Sequence, residues 1–376
     1  MKNYEPLGKH IRLVDIRNSD SVTNKVLGIN IDKYFMPSVA NVIGTDLSKY
    51  KLLHKGMFAC NPMHVGRDER LPVALYEDDT PAIVSPAYFM FDIIDPDRLN
   101  LDYLMMWFRR PEFDRLCWLK TDGSVRGGIT WEDLCRLEVP IIPLEEQLHI
   151  VKSYRVITDR MDLKRRINDN LEAQLVTLFH NIFDNDSGTE GTISDLGDVV
   201  GGATPSTDNA NYFCSEGIPW LSPKDLTSTG LKFIYKGEVS ITQDAYNSCS
   251  TKLMPPGTVL LTSRAPVGTV GIAMNKICTN QGFKSVVPKS SIGTAYIYYF
   301  LKENKQLLER HASGTTFMEI SGNVLRNIPA IIPEEQDVVT FRNLCRPLFA
   351  SQQQIELEIQ QLKEMQRIAI SSISCR

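Results

Sequence analysis

VPIIPLEEQ at residues 139–147 and IPAIIPEEQ at residues 328–336 are one phrase written twice, matching without gaps at Pro, Ile, Glu, Glu and Gln. The separation of 189 residues is close to half of the 376-residue chain, and each copy closes a mixed segment and opens a long helical pattern. A second echo runs ahead of the first. Lys51-Leu52-Leu53-x-x-Gly56 parallels Lys252-Leu253-Met254-x-x-Gly257, and Val65-Gly66 and Val267-Gly268 follow in turn. The chain therefore reads as block, helix, block, helix. Its expected boundaries are 1–143 for the first block, 144–184 for a central helix, 185–333 for the second block and 334–376 for a C-terminal helix, with the Asn, Asp, Ser and Gly of 185–191 as a linker.

Both helices follow from period. Beyond Pro143, Ile150, Tyr154, Ile157, Met161, Lys164, Asn168, Leu171, Leu175, Leu178 and Ile182 keep an unbroken 4-3 spacing, the seam of a coiled coil. At 1.5 Å per residue such a helix is roughly 57 Å long, too long to stand without a partner. The C-terminal segment supplies one: Phe341, Leu348, Ile355, Leu362 and Ala369 recur every seven residues, and Leu344 and Met365 fall on the expected second seam position. Pro347 is expected to kink this helix or end its first part. Lys164 and Asn168 are polar on the seam, which fits either a register-fixing role or a place where the helices splay.

The blocks show short strand-like runs, such as 257–262 and 267–274, broken by helical stretches at 101–110 and 294–310. The expected class is α+β, mixed within each block. At 43% apolar and 23% charged the chain is globular in composition, and no apolar run approaches the roughly 18 residues of a membrane span. The opening MKNYEPLGKHIRLVD lacks the apolar core of a secretory signal, so a cytoplasmic protein is expected. Eight scattered cysteines, with no C-x-x-C, read as reduced thiols. Net charge is −4 and no region is basic overall, so any nucleic-acid surface must concentrate its cations on one face.

Catalytic patterns are scarce. No G-x-G occurs among the 23 glycines, no G-x-x-x-x-G-K-[ST] holds a triphosphate, and the six histidines lack metal-ligand spacing. The loops instead carry residues suited to phosphate and base-edge contact. In the second block these are Thr204 and Ser206 in GGATPST, Lys224 in SPKD, Ser263 and Arg264 in SRAP, and Gln281 and Lys284 in NQGFK. In the first they are Arg17, Asn61, His64, Arg67 and Arg126. Residue types alone leave open both a DNA reader and a coiled-coil scaffold with no DNA role.

GGATPSTDNANYFCSEGIPWLSPKDL (201–226), GTVLLTSRAPVGTVGIA (257–273), NQGFKSVVP (280–288) and IPAIIPEEQ resemble, in order and spacing, the specificity subunit of type I restriction-modification systems. LVDIRN (13–18), FACNPMHVGRDERLPVALY (58–76), SPAYFMF (85–91) and GSVRGGITWEDLCRLEVPIIPLEEQ (123–147) look like a second, divergent recognition domain, without a GGxTPS-like loop. The resemblance implies two target recognition domains in a pseudo-twofold arrangement, joined by two long antiparallel helices. Each domain would read half of a bipartite double-stranded DNA target, and the helices would set the gap. Two methyltransferase subunits and separate restriction subunits would dock on this chain. It would itself be no enzyme and bind no cofactor, with S-adenosylmethionine and ATP held by the partners. The DNA-reading subunit of another multisubunit restriction or phage-defence system is the neighbouring alternative.

Overall fold

The structure is a computed structural model that describes residues 3–39, 44–63, 65–121, 127–184, 188–314 and 318–373. The chain folds as two compact units, Met1–Met161 with Gln361–Arg376, and Asp162–Gln360.

The first unit opens and closes on one antiparallel pair, in which Asn3–Pro6 lies against Glu138–Ile141. Its main sheet has the order Ile11–Leu13, Phe89–Ile93, Phe58–Cys60, Val73–Leu75, all antiparallel. Helices Leu101–Phe108 and Pro111–Trp118 cover one face, the former started by Asn100, whose side chain accepts from the amides of Asp102 and Tyr103. An aromatic core results. Phe58 stacks on Phe91 at 5.2 Å and Trp107 meets Phe113 at 4.9 Å, all fully buried.

The second unit repeats this plan. Gly188–Thr192 pairs with Pro329–Pro333, and the sheet runs Gly197–Gly201, Lys284–Pro288, Val259–Leu261, Val270–Ala273, with Phe233–Ile234 added parallel at the edge. Even single backbone bonds recur. Leu7 N donates to Leu137 O and Ile193 N to Ile328 O; Ile129 N donates to Pro62 O and Ile320 N to Ser263 O. The echo at Lys51 and Lys252 is structural too, since Leu53 pairs with Ala82 as Met254 bridges to Ile277. The second unit also carries a four-stranded sheet of Phe213–Cys214, Ser240–Ile241, Ile218–Leu221 and Cys278–Thr279, which supports the 201–226 region.

Two long helices, Leu144–Phe183 and Glu335–Ser372, each belong partly to both units. Within each unit they pair antiparallel. Gln366 Nε2 donates to Thr158 Oγ1 at 3.0 Å in the first. In the second, Lys164 meets Glu358 at 2.7 Å, Gln352 donates to Glu172 at 3.0 Å, and Phe179 packs on Phe341 at 5.7 Å. All ten seam positions of the central helix are buried or half-buried, Lys164 and Asn168 included. Full burial of a side chain such as Leu175 contributes about 2 kcal/mol.

The C-terminal helix corrects one expectation and narrows another. Leu344 and Met365 are 44% and 53% exposed, and the second seam instead runs through Cys345, Gln352, Ile359, Gln366 and Ile373. Two of these are glutamines whose amides find partners across the seam, so an apolar pattern passes over them. Pro347 does not end the helix, which continues over it; both Pro347 and Asn343, whose carbonyl it leaves without an amide partner, are exposed, so water can take that bond. The helix returns to the first unit, where Ile373 is fully buried in its core and Ile370 packs against it.

The repeated phrase does different work in its two copies. Gln147 is fully buried, donates to Arg98 O and Ile142 O and accepts from Asn100 N, tying the first block to the start of its helix. Gln336 is exposed. Seven cysteines lie among the described residues and all are free thiols, four of them buried.

Candidate nucleic-acid interface

In the second unit the loops singled out from sequence converge. The 201–207 loop is fastened by Ala203 N to Thr279 O (3.0 Å) and Trp220 Nε1 to Ala203 O (3.1 Å), and Thr204 Oγ1 donates to Gln281 Oε1. Gly202 is required here by packing, because a Cβ would sit 2.2 Å from the carbonyl oxygens of Thr279 and Asn280. Asn280 N donates to Leu221 O, and Ser222 and Asp225 form a capping box at the start of helix Pro223–Thr229, which carries Lys224. Thr262 closes the 262–269 loop, donating to Pro266 O and accepting from Thr269 N. Ser263 N donates to Gly282 O, which joins this loop to the 280–284 segment.

Two cations occupy the junction. Arg264, with 35% of its side chain exposed, and Lys284, with 17%, lie 3.7 Å from opposite oxygens of the Glu319 carboxylate. Lys284 Nζ also donates to Gln281 O at 3.1 Å. The backbone of Glu319 bridges to Arg264 and to Ser313, so the acid is held in place by main chain. Ser206 and Gln281 are exposed, and Lys224 is well exposed with only a loose 3.8 Å approach to Glu238. Ser263 departs from expectation. It is fully buried with its hydroxyl unbonded, because the strand pairing that extends Val259–Leu261 turns its side chain inward, and it cannot touch a ligand at the surface.

The first unit shows less convergence. Arg17 donates to Lys49 O and to Asp15, Asn61 accepts from Met63 N, and Arg67 forms a two-bond pair with its neighbour Asp68. His64 and Arg126 lie outside the described residues. No cluster of metal-binding side chains, and no helix long and apolar enough to cross a membrane, occurs among the described residues.

Sequence reading missed Glu319. The duplication carried the signal, since Gly123, Ile129 and Thr130 of the first copy align with Gly314, Ile320 and Ser321 of the second, which brackets Glu319 between matched positions. It also missed Lys232, a lysine only 6% exposed in the turn before Phe233–Ile234. Burial pushes its ammonium down to about 8, and although burial opposes ionisation of Glu172 as well, Lys232 and the donors around it hold that carboxyl at about 2.

Known proteins share part of this sequence: residues 187–361 match the type I restriction modification DNA specificity domain. The specificity subunit of the type I restriction enzyme MjaIX of Methanocaldococcus jannaschii is 43% identical over 151 residues, which are 39% of this chain and 35% of that protein's own length. A putative MjaX specificity subunit from the same organism is 23% identical over 335 residues, 81% of this chain and 74% of the relative. The crystal structure of the type I restriction-modification S subunit from M. genitalium shares the fold, with a TM-score of 0.58 at 14% identity, covering 100% of this chain and 97% of the other. The chain is thus similar to type I restriction-modification specificity subunits, and its residues 187–361 carry the match to their DNA specificity domain.

Proposed function

We propose that this chain reads a bipartite double-stranded DNA target, one half-site per globular block, with the long helices as the spacer between half-sites. The observation that carries the reading is the duplication: two blocks of one strand order, each delivered by the chain to the same pair of helices. A reader built twice suits a target written in two parts. In the second block Arg264, Lys284, Gln281 and Thr204 supply groups that bond phosphates and base edges, with Lys224 and Ser206 beside them.

The chain is no enzyme in this reading. Adenine methyltransferase subunits dock on it and bind S-adenosylmethionine, and restriction subunits bring ATP-dependent cleavage. Docking is supported by apolar side chains left exposed on the long helices, namely Leu148, Val156, Leu163 and Ile167 on one and Met365 and Ile368 on the other. Partners that contribute phosphate contacts also account for a near-neutral reader.

The test is co-expression with a modification subunit of the same genome in a host lacking adenine methylation, followed by long-read mapping of modified adenines. A split motif with a fixed gap, present only with this chain, is the expected result. A stable purified complex that methylates nothing would replace the reading with a coiled-coil scaffold.

A further inference from the structure

A dense polar cluster in the second unit lies away from these loops, where the block is seated on its helices. Lys232 Nζ donates to Glu172 Oε2 on the central helix (2.8 Å), to Gln352 Oε1 on the C-terminal helix (2.9 Å) and to Tyr299 Oη (2.7 Å), which uses all three ammonium protons. The amides of Lys232 and Phe233 donate to the two oxygens of Glu356, also on the C-terminal helix, at 3.0 and 3.1 Å. Gln352 Nε2 returns to Glu172 Oε2 at 3.0 Å, and Lys302 closes on Oε1 of the same carboxylate. The rings of Phe349, Tyr298 and Tyr299 surround the ammonium at 4.1, 4.6 and 4.8 Å.

An apolar seam that repeats every seven residues scores nearly as well after a slip of one heptad. This cluster does not. A slip of seven brings Arg165 or Phe179 to the place of Glu172, and Cys345 or Ile359 to that of Gln352, and leaves a buried ammonium without its acceptors. Buried ionic groups contribute little net stability compared with apolar isosteres, and their best-supported use is to select one register. We propose that Lys232 is a positioning residue for target spacing: through Glu172, Gln352 and Glu356 it fixes the single register in which the second block sits on the helix pair, and thereby a single gap length in the split target. The proposal rests on the DNA reading above. A heptad slip moves a helix by about 10 Å, equivalent to about three base pairs.

The test replaces the charges by apolar groups in Lys232→Met/Glu172→Leu and uses two readouts on the co-expressed complex. The first is register, from disulfide cross-linking of Lys164→Cys with Glu358→Cys, and of Lys164→Cys with Met365→Cys one heptad along. The second is the gap in the methylated motif. With the native Lys232 and Glu172, only the 164/358 pair should cross-link and one gap should appear. The double variant should melt near the unsubstituted protein, cross-link at both pairs and methylate motifs of more than one gap length, while Lys232→Arg in the otherwise native chain should keep a single register. Should the double variant not fold, Glu356→Gln, which leaves Lys232 and Glu172 intact, is read in the same way. A folded variant with the 164/358 pair alone and one unchanged gap overturns the proposal. Loss of register in the variant, with no split motif even from the unsubstituted complex, overturns the DNA reading and leaves the lock.

Discussion

Glu319 gives the cations of the second block a counterion of their own, 3.7 Å from each. Such an acid lowers the pull of Arg264 and Lys284 on phosphate and favours neutral, directional contacts such as base edges over indiscriminate backbone binding. Arg264→Ala should weaken binding of the assembled complex by about 1–3 kcal/mol and relax the methylated motif at one position, if the arginine reads a base. A uniform loss across all sequences would place it on phosphate. Glu319→Gln should do the opposite, tightening binding to random duplex and steepening the fall of affinity with salt, measured by fluorescence titration at several salt concentrations. Arg264 and Lys284 were legible in the sequence because a cation in a Gly- and Pro-rich loop stands out. Glu319 was not, because what matters about it is the two cations it faces, and these come from elsewhere in the chain.

The long helices were legible for the opposite reason. A heptad is local, and every apolar position predicted on the central seam is sheltered. What periodicity could not supply was the polar part of the seam: Gln352 and Gln366 are sheltered because their amides are matched across the pair, and Leu344 and Met365, apolar but one residue off, are left outside. The same seam carries a pH dependence. Glu172 titrates at about 2 when folded, against its usual 4.5, so its ionisation adds stability that is complete above pH 4.5 and is lost as the pH falls toward 2. Lys232, depressed from 10.5 to about 8, adds stability as the pH rises between those values. Thermal melts should show a shallower acid loss in Glu172→Gln than in the unsubstituted protein; parallel curves would deny Glu172 this role.

Across the whole molecule, the duplication was readable from one nine-residue phrase, but the common strand order needed coordinates, because strands of three or four residues leave hardly any period to detect. The added four-stranded sheet of the second unit explains why the GGATPS loop has no partner in the first: among the described residues the structure beneath it occurs in the second unit alone. Each block begins and ends on a single strand pair, so residues 188–333 can be exchanged for the matching segment of a relative with both joints kept. Such a chimera, drawn from a relative that keeps a lysine at the place of Lys232, should change one half of the methylated motif and leave the other half and the gap intact; altered bases in both halves would count against modular reading. The burial of Ile373 in the first core has a consequence in time. Chains fold as they are synthesised, N-terminal parts first, yet residues 361–376, which complete the first unit, are made after the whole of the second. The half that is begun first is finished last, and until the final turns emerge from the ribosome it waits with part of its core uncovered.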